Sequence, residues 1–368
     1  MLLKNEIIMD NLNDPPLISV IVLNYNGKEF VNDCLCSVLK TEYNNFEVIL
    51  VDNSSTDKSF ELALEKFGCD LHLRVVKNYK NLFFAEGNNR GIREARGEYV
   101  VILNNDTVVT PSWLTEIVLG MRDKTIGAAQ PKILLYNDPL RIDYAGTDLD
   151  KYGYAKGRGR GEVDRGQFDN TIDIFYAGGT AMVLRKKVLN EVGLFDDKFG
   201  AHWEDVDLSW RIRLRGYKIV LIPKAVIYHK GSKTMSKFAK RQEVAWYIRK
   251  NRIAGLIKNY NIVNLIKTLP ILILIYFLFF IKELFVNRDI KIAMASILAV
   301  IWNIKELPYI LRARWRVQRK IRRISDSQIL KFMQPGSMVF QAMCLYMEKN
   351  AMFESKKLNR DCSEKTRN

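Results

Sequence analysis

Five short polar clusters carry the residue types that could do chemistry: Asn24-Tyr25-Asn26-Gly27, Asp52 to Asp57, Asn104-Asn105-Asp106-Thr107, His202 to Asp207 and Tyr228-His229-Lys230-Gly231. A carboxylate at Asp52 can accept a hydrogen bond from a nucleobase imide, whereas Thr56 or Asp57 is placed to cap the helix that follows. Asp106 can hold a divalent cation against two diphosphate oxygens, the usual way to neutralise such a leaving group. The other reading of this cluster is an Asx-type turn leading towards Pro111. Glu204, Asp205 and Asp207 open an apparent helix, whose positive end favours carboxylates. Asp207 and Arg211 form a natural i,i+4 pair, and one remaining acid is available to deprotonate a hydroxyl. His229 could complete a metal shell.

The elements that must position these residues are legible in the hydrophobic pattern. ISVIVLN (18–24), FEVILVD (46–52), LHLRVV (71–76) and EYVVILN (98–104) read as short buried strands. Helical stretches at roughly 28–40, 57–67 and 84–95 lie between them, giving the alternation of a doubly wound α/β sheet. In such a sheet ligands bind beyond the carboxyl ends of the strands, and Asn24, Asp52 and Asp106 fall at or just after such ends. The pattern around Asn24 is not GxGxxG, so the dinucleotide fingerprint is absent. The glycine-rich, basic stretch Tyr152–Glu162 reads as a mobile loop, either a solvated connection or a cover for an anionic substrate.

With 368 residues, 48% hydrophobic and 27% charged, the chain can build one large α/β domain and an appendage. Five cysteines without a CxxC pair, and no apolar leader, lead us to expect reduced thiols in the cytosol. The net charge of +16 is unevenly placed: residues 1–235 carry 31 basic and 32 acidic side chains, residues 236–368 carry 26 and 9. The basic C-terminal third also holds two apolar runs, at 268–281 and 292–304, followed by RARWRVQRKIRR at 312–323. Each apolar run is shorter than the roughly 20 residues of a comfortable span. Interfacial or re-entrant helices beside an anionic membrane surface are therefore expected, and nucleic acid is not an expected partner because the α/β portion is nearly neutral.

Together these motifs carry a resemblance. VIVLNYNG (20–27), VDNSSTD (51–57), NLFFAEGNNRGIREARGEYVVILNNDT (81–107), YAGGTAMVLRK (176–186), EVGLFDDKF (191–199), WEDVDLSWRIRLRGY (203–217) and IYHKGS (227–232) are similar to glycosyltransferase family 2, in its rhamnosyltransferase-like members. The resemblance covers about residues 17–260 and implies a GT-A fold with a mainly parallel central sheet. It implies an inverting transfer of one sugar from a UDP- or dTDP-linked donor in building a cell-surface glycan; the C-terminal region points to a lipid-linked acceptor and, with the cysteine usage, to the cytoplasmic side of the membrane. Transfer to a protein or soluble polysaccharide, or a non-catalytic glycan- or nucleic-acid-binding role, are the alternatives. Carried over by position, Asp205 is the catalytic base with Glu204 beside it. Asn24, Asn26, Asp52, Asn53, Asn88, Asn104, Asn105, Gly178 and Gly179 line the donor site, and Asp106 and His229 meet a Mg2+ or Mn2+ ion. Two departures stand out. Asn104 occupies the first place of the family's Asp-x-Asp. Gln242-Glu243-Val244-Ala245-Trp246 stands where processive members carry QxxRW, which favours single addition. The expected organisation is an extension at 1–16, the transferase domain at 17–260, a helical membrane-associated region at 261–330 and a polar tail at 331–368.

Overall fold

A computed structural model describes residues 15–231 and 240–340. The expected N-terminal extension up to residue 14, Ser232, and the end of the tail with Cys344 and Cys362 lie outside the described residues. The first half alternates β1 (Ile18–Asn24), α1 (Val31–Leu39), β2 (Phe46–Asp52), α2 (Ser59–Phe67), β3 (Leu73–Lys77), α3 (Phe83–Glu94) and β4 (Tyr99–Asn104). Strands β1, β2 and β4 are almost entirely buried runs of branched residues, as parallel strands covered on both faces require. The order β3-β2-β1-β4 is wholly parallel, so the polar residues after β1, β2 and β4 collect at one edge.

Beyond β4 come β5 (Thr107–Val109), α4 (Trp113–Gly120), β6 (Ile126–Leu135), β7 (Asp138–Tyr144), the short hairpin β8 (Thr147–Leu149) and β9 (Ala155–Gly157), β10 (Ala181–Arg185), α5 (Lys186–Val192), α6 (Glu204–Leu214) and β11 (Lys218–His229). The main sheet continues β4-β10-β6-β11-β5, with β7 paired to β6; β10 is antiparallel to both neighbours, and β11 is parallel to β6. Part of the stretch expected as a loop, Ala155–Gly157, thus forms a strand on β8. Arg158 ties it down through Asp148 and the carbonyl of Asp173.

Among the described residues, the helices α7 (Arg241–Asn259), α8 (Ile262–Ile281), α9 (Ile290–Lys305), α10 (Leu307–Arg316) and α11 (Asp326–Leu330) follow. The first apolar run is longer than its core of 268–281 suggested. α8 passes without a break into a π-helical turn at Lys282–Val286, giving a 25-residue helix whose most apolar 18-residue window has a mean hydropathy of 2.3. Leu265 and Leu269 join its packed side, Thr268 is buried, and Lys267 does not interrupt it, so the polar residues that bounded the run in sequence do not bound the helix. It is the one described helix long and apolar enough to cross a membrane, and only 17% of its most apolar window is buried. The basic cluster is also divided by the fold. Arg314, Gln318 and Arg322 donate to the carbonyls of Ile257 to Tyr260, satisfying the orphan acceptors that end α7. Arg312, Arg316, Arg319, Lys320 and Arg323 remain exposed, with Trp315 among them.

Candidate functional site

The strand ends open onto a cavity of about 370 Å³, lined by Leu23, Asn53, Phe84, Asn104, Asn105, Asp106, Thr180, His202 and His229 together with Tyr25, Asn81, Phe83, Ala201, Glu243, Val244 and Tyr247. Beneath it runs a network of amides. Asn24 is fully buried; its amide donates to Asp52, Ser55 and Ser59, and its oxygen accepts from Asn105 at 2.9 Å. A side chain at Gly27 would collide with Asn105 and Asn24, so only glycine lets the β1 turn close over this pair. Asp52 is buried too, with one oxygen facing Asn24 and the other accepting from the Ser55 N–H at 3.2 Å. Asn26 accepts from Thr56, and Asp57 accepts from Ser59 N–H at the start of α2; the cap position expected for Thr56 or Asp57 falls instead to Lys58, in a left-handed conformation, and Asp57 stands one residue before it. Asn53 spans the gap to the next loop, accepting from Asn78 and Leu82 and donating to Asn81 and the Phe83 carbonyl. Asn88 lies inside α3 and donates to the Phe84 carbonyl.

Asp106 and His229 meet because β5, which begins at Thr107, pairs with the end of β11 in the register His229↔Thr107. His229 Nε2 is 3.4 Å from Asp106 Oδ1. Both atoms are buried and neither has a hydrogen-bond partner, so the contact is one of charge without hydrogen-bond alignment. Nδ1 of the same ring is 2.6 Å from Asp143 Oδ2. Burial alone would discharge His229, but the carboxylates of Asp106 and Asp143 outweigh it and push its pKa up to about 9. An anionic oxygen and an imidazole nitrogen, both buried and otherwise unsatisfied, fit a divalent cation that takes its other ligands from diphosphate and water. Among the described residues no cluster of three or more His, Cys, Asp or Glu side chains forms a complete protein metal site.

The acidic helix stands on the other side. His202 and Trp203 precede α6 with φ of 63° and 72°, consecutive left-handed residues of a kind that persist only where the surroundings enforce them. Trp203 is the enforcing group: its indole N–H donates to the Gly153 carbonyl, and its ring fills the space left by Gly255 of α7. Asp205 is thereby aimed at the YAGGT segment, accepting from the N–H of Gly179 at 3.0 Å and of Val206 at 2.8 Å. Gly179 adjoins Thr180 in the cavity wall, and a methyl there would press on Phe84. Gly178 N–H donates to Gln130. Burial pushes the Asp205 carboxyl up, and it raises Glu204 further, helped by the charge of Asp205. Asp207 belongs to the fold: it pairs with Arg211 at 2.9 Å, as the i,i+4 spacing predicts, and with Lys258 and Asn259 of α7.

The cavity therefore gathers Asn53, Asn104, Asn105, Asp106 and His229 on its wall. Asn24, Asn26, Asp52, Asn88, Glu204 and Asp205 stand behind or beside it, and Gly178 and Gly179 adjoin its Thr180. Sequence reasoning missed Asn81, Phe83, Glu243, Tyr247 and Asp143. Phe83 had no local signal, although its φ of 57° is unusual for a bulky residue. Glu243 and Tyr247 arrive from α7 only through tertiary packing, with the Tyr247 ring 5.8 Å from Phe83.

The family model for Glycosyl transferase family 2 matches residues 19–193. The poly-beta-1,6-N-acetyl-D-glucosamine synthase of Staphylococcus epidermidis is 30% identical over 238 residues, which cover 62% of this chain and 53% of that one. The O-antigen biosynthesis protein RfbC of Myxococcus xanthus is 28% identical over 232 residues, covering 59% of this chain and 17% of that one. The chain thus spans about half or less of the length of these relatives. Among solved structures, GalNAc-T7 with UDP, GalNAc and Mn2+ superposes with a TM-score of 0.53 at 17% identity, covering 67% of this chain and 48% of that one. That likeness shows a shared fold.

Proposed function

We propose that this chain, which has the GT-A fold and matches the Glycosyl transferase family 2 model over residues 19–193, is a glycosyltransferase that transfers one sugar, with inversion, from a UDP- or dTDP-linked donor to a hydroxyl of a lipid-linked or cell-surface glycan. The observation that carries this reading is the facing pair Asp106 Oδ1 and His229 Nε2 in the strand-end cavity, buried and otherwise unsatisfied. Relatives named for polysaccharide synthesis and O-antigen biosynthesis favour a glycan acceptor, and rhamnose is one candidate sugar.

Asp205 is the base in this scheme. Its carboxylate takes the acceptor O–H proton as the acceptor oxygen bonds to the anomeric carbon. The bond from that carbon to the diphosphate oxygen breaks, and the electron pair leaves with the nucleoside diphosphate. The Gly179 and Val206 N–H groups hold the carboxylate in one orientation. Burial and the neighbouring Asp205 charge favour the protonated form of Glu204, which keeps the local charge low. Asp106 and His229 would hold Mg2+ or Mn2+, which when bound supplies positive charge to the departing diphosphate. Asn53, Asn104 and Asn105 offer polar contacts to the donor, while the buried Asn24–Asp52 pair shapes the floor beneath it.

We place the work at the cytoplasmic membrane face. The exposed apolar side of α8 and α9 beside exposed Arg312, Arg316, Arg319, Lys320 and Arg323 supports this, as does a cysteine set without a disulfide framework. The test is donor hydrolysis and transfer across a panel of nucleotide sugars by the full chain and by Asp205→Asn. The variant is expected to bind UDP or dTDP as the parent does and to lose transfer by about 10²–10⁴-fold. Unchanged turnover would refute the assignment of the base.

A further inference from the structure

We propose that Asp143 is a positioning residue of the metal site: it holds a proton on His229 Nδ1, so that Nε2 is the nitrogen presented to the ion beside Asp106. This rests on the reading of Asp106 and His229 as metal ligands. A carboxylate can only accept, so an imidazole nitrogen 2.6 Å from Asp143 Oδ2 must be the donor. An ion binding at Nε2 takes the place of any proton there, and the ring then keeps its single N–H on Nδ1. Nε2 is the nitrogen facing Asp106 at 3.4 Å.

The sheet builds this arrangement from three strands. His229 ends β11; β5, on one flank, begins immediately after Asp106; β6, on the other, carries β7 and Asp143 on its far side. Asp143 is almost fully buried and its second oxygen lies 3.8 Å from the exposed Arg160 guanidinium, so its two oxygens face different partners. Arg160 in turn lies over the Tyr144 ring, which limits its freedom. A carboxylate on the far nitrogen of a metal-binding histidine fixes both tautomer and ring plane, and removing such a partner weakens metal binding about 10–100-fold. A simple ion-pair role for Asp143 would stabilise the strand ends without setting the tautomer.

The test titrates Mn2+ into the full chain with UDP present and reads free Mn2+ by electron paramagnetic resonance. Asp143→Asn preserves size but lets its amide donate to Nδ1. We expect about 10–100-fold weaker Mn2+ binding, with metal-free UDP binding unchanged. Long-range proton–nitrogen spectra of the Mg2+–UDP complex should show the His229 proton on Nδ1; with only three histidines in the chain the assignment is direct. Mn2+ affinity within twofold of the parent in a folded Asp143→Asn variant would overturn the inference. If that variant does not fold, the parent spectrum decides, and a proton on Nε2 overturns it. His229→Ala separates the two levels. Weakened Mn2+ binding there but not in Asp143→Asn refutes the role of Asp143 alone, whereas no effect of either change refutes the metal reading as well.

Discussion

Asp205 and Asp207 stand two residues apart on one helix, and their environments send them in opposite directions. Burial raises Asp205, against the backbone N–H groups of Gly179 and Val206, which favour its charged state. Burial also works against ionised Asp207, but Lys258 and Arg211 outweigh it and hold that carboxyl below the usual range. The linkage signs therefore differ. The Asp207 contribution to stability is present above its unfolded pKa and is lost as pH falls through the lower folded one. The protonated Asp205–Glu204 pair favours the fold below the unfolded values, and that contribution is lost as pH rises through the raised ones. A base must be ionised, so kcat/KM should rise with pH through an acid limb lying above the ordinary aspartate value of 3.8. A pH–rate profile with its acid inflection at or below that value would contradict the assignment. The chemistry of these acids was legible in sequence, and so was the pairing of Asp207 with Arg211. The partnership of Asp207 with Lys258, 51 residues away, was not.

At the scale of elements, the junction of α6 with α7 decides where Asp205 points. Gly255 lies mid-helix in α7, where alanine would ordinarily stabilise by about 1 kcal/mol. Here its methyl would overlap the Trp203 ring, which Gly153 also confines. Overpacking of this kind costs about 1–3 kcal/mol, so the contact wins. Gly255→Ala is expected to lower the unfolding temperature by several degrees and to reduce kcat even where the variant is fully folded, because Trp203 sets the start of α6. Thermal unfolding followed by circular dichroism, with steady-state rates on the same sample, checks both. The strands of the first half were read from sequence to within a residue or two, because parallel buried strands are continuous branched runs. The β8–β9 hairpin was not, since glycine and arginine dominate its composition and its pairing depends on contacts beyond the segment.

For the molecule as a whole, the C-terminal helices do two things at once. One face joins the core through Leu272, Ile275, Tyr276, Ile310 and Ile321. The other leaves Leu274, Phe277, Leu278, Phe285, Ile301 and Ile304 exposed, an apolar surface of the kind that marks an interaction site. Exposed basic side chains near an anionic leaflet add about 1 kcal/mol each. Replacing both Leu274 and Phe277 with glutamate is therefore expected to reduce co-sedimentation with anionic vesicles at least about tenfold, because each change removes apolar burial and adds repulsion. The catalytic domain should remain folded. Vesicle binding equal to that of the parent would show that this face is not the membrane contact.

The sequence by itself determined the alternating α/β framework, the strand-end positions of Asn24, Asp52 and Asp106, and the basic, apolar character of the C-terminal third. These follow from local rules: branched runs make buried strands, and polar residues after them collect at one sheet edge. Only the tertiary structure decided which polar groups meet. It set His229 against Asp106 and Asp143 across neighbouring strands, brought Glu243 and Tyr247 of α7 to the cavity, and joined the first apolar run into a continuous 25-residue helix. It also turned Arg314 and Arg322 inward to cap α7. Each of these depends on strand register or helix docking between distant segments, and no local spacing encodes that.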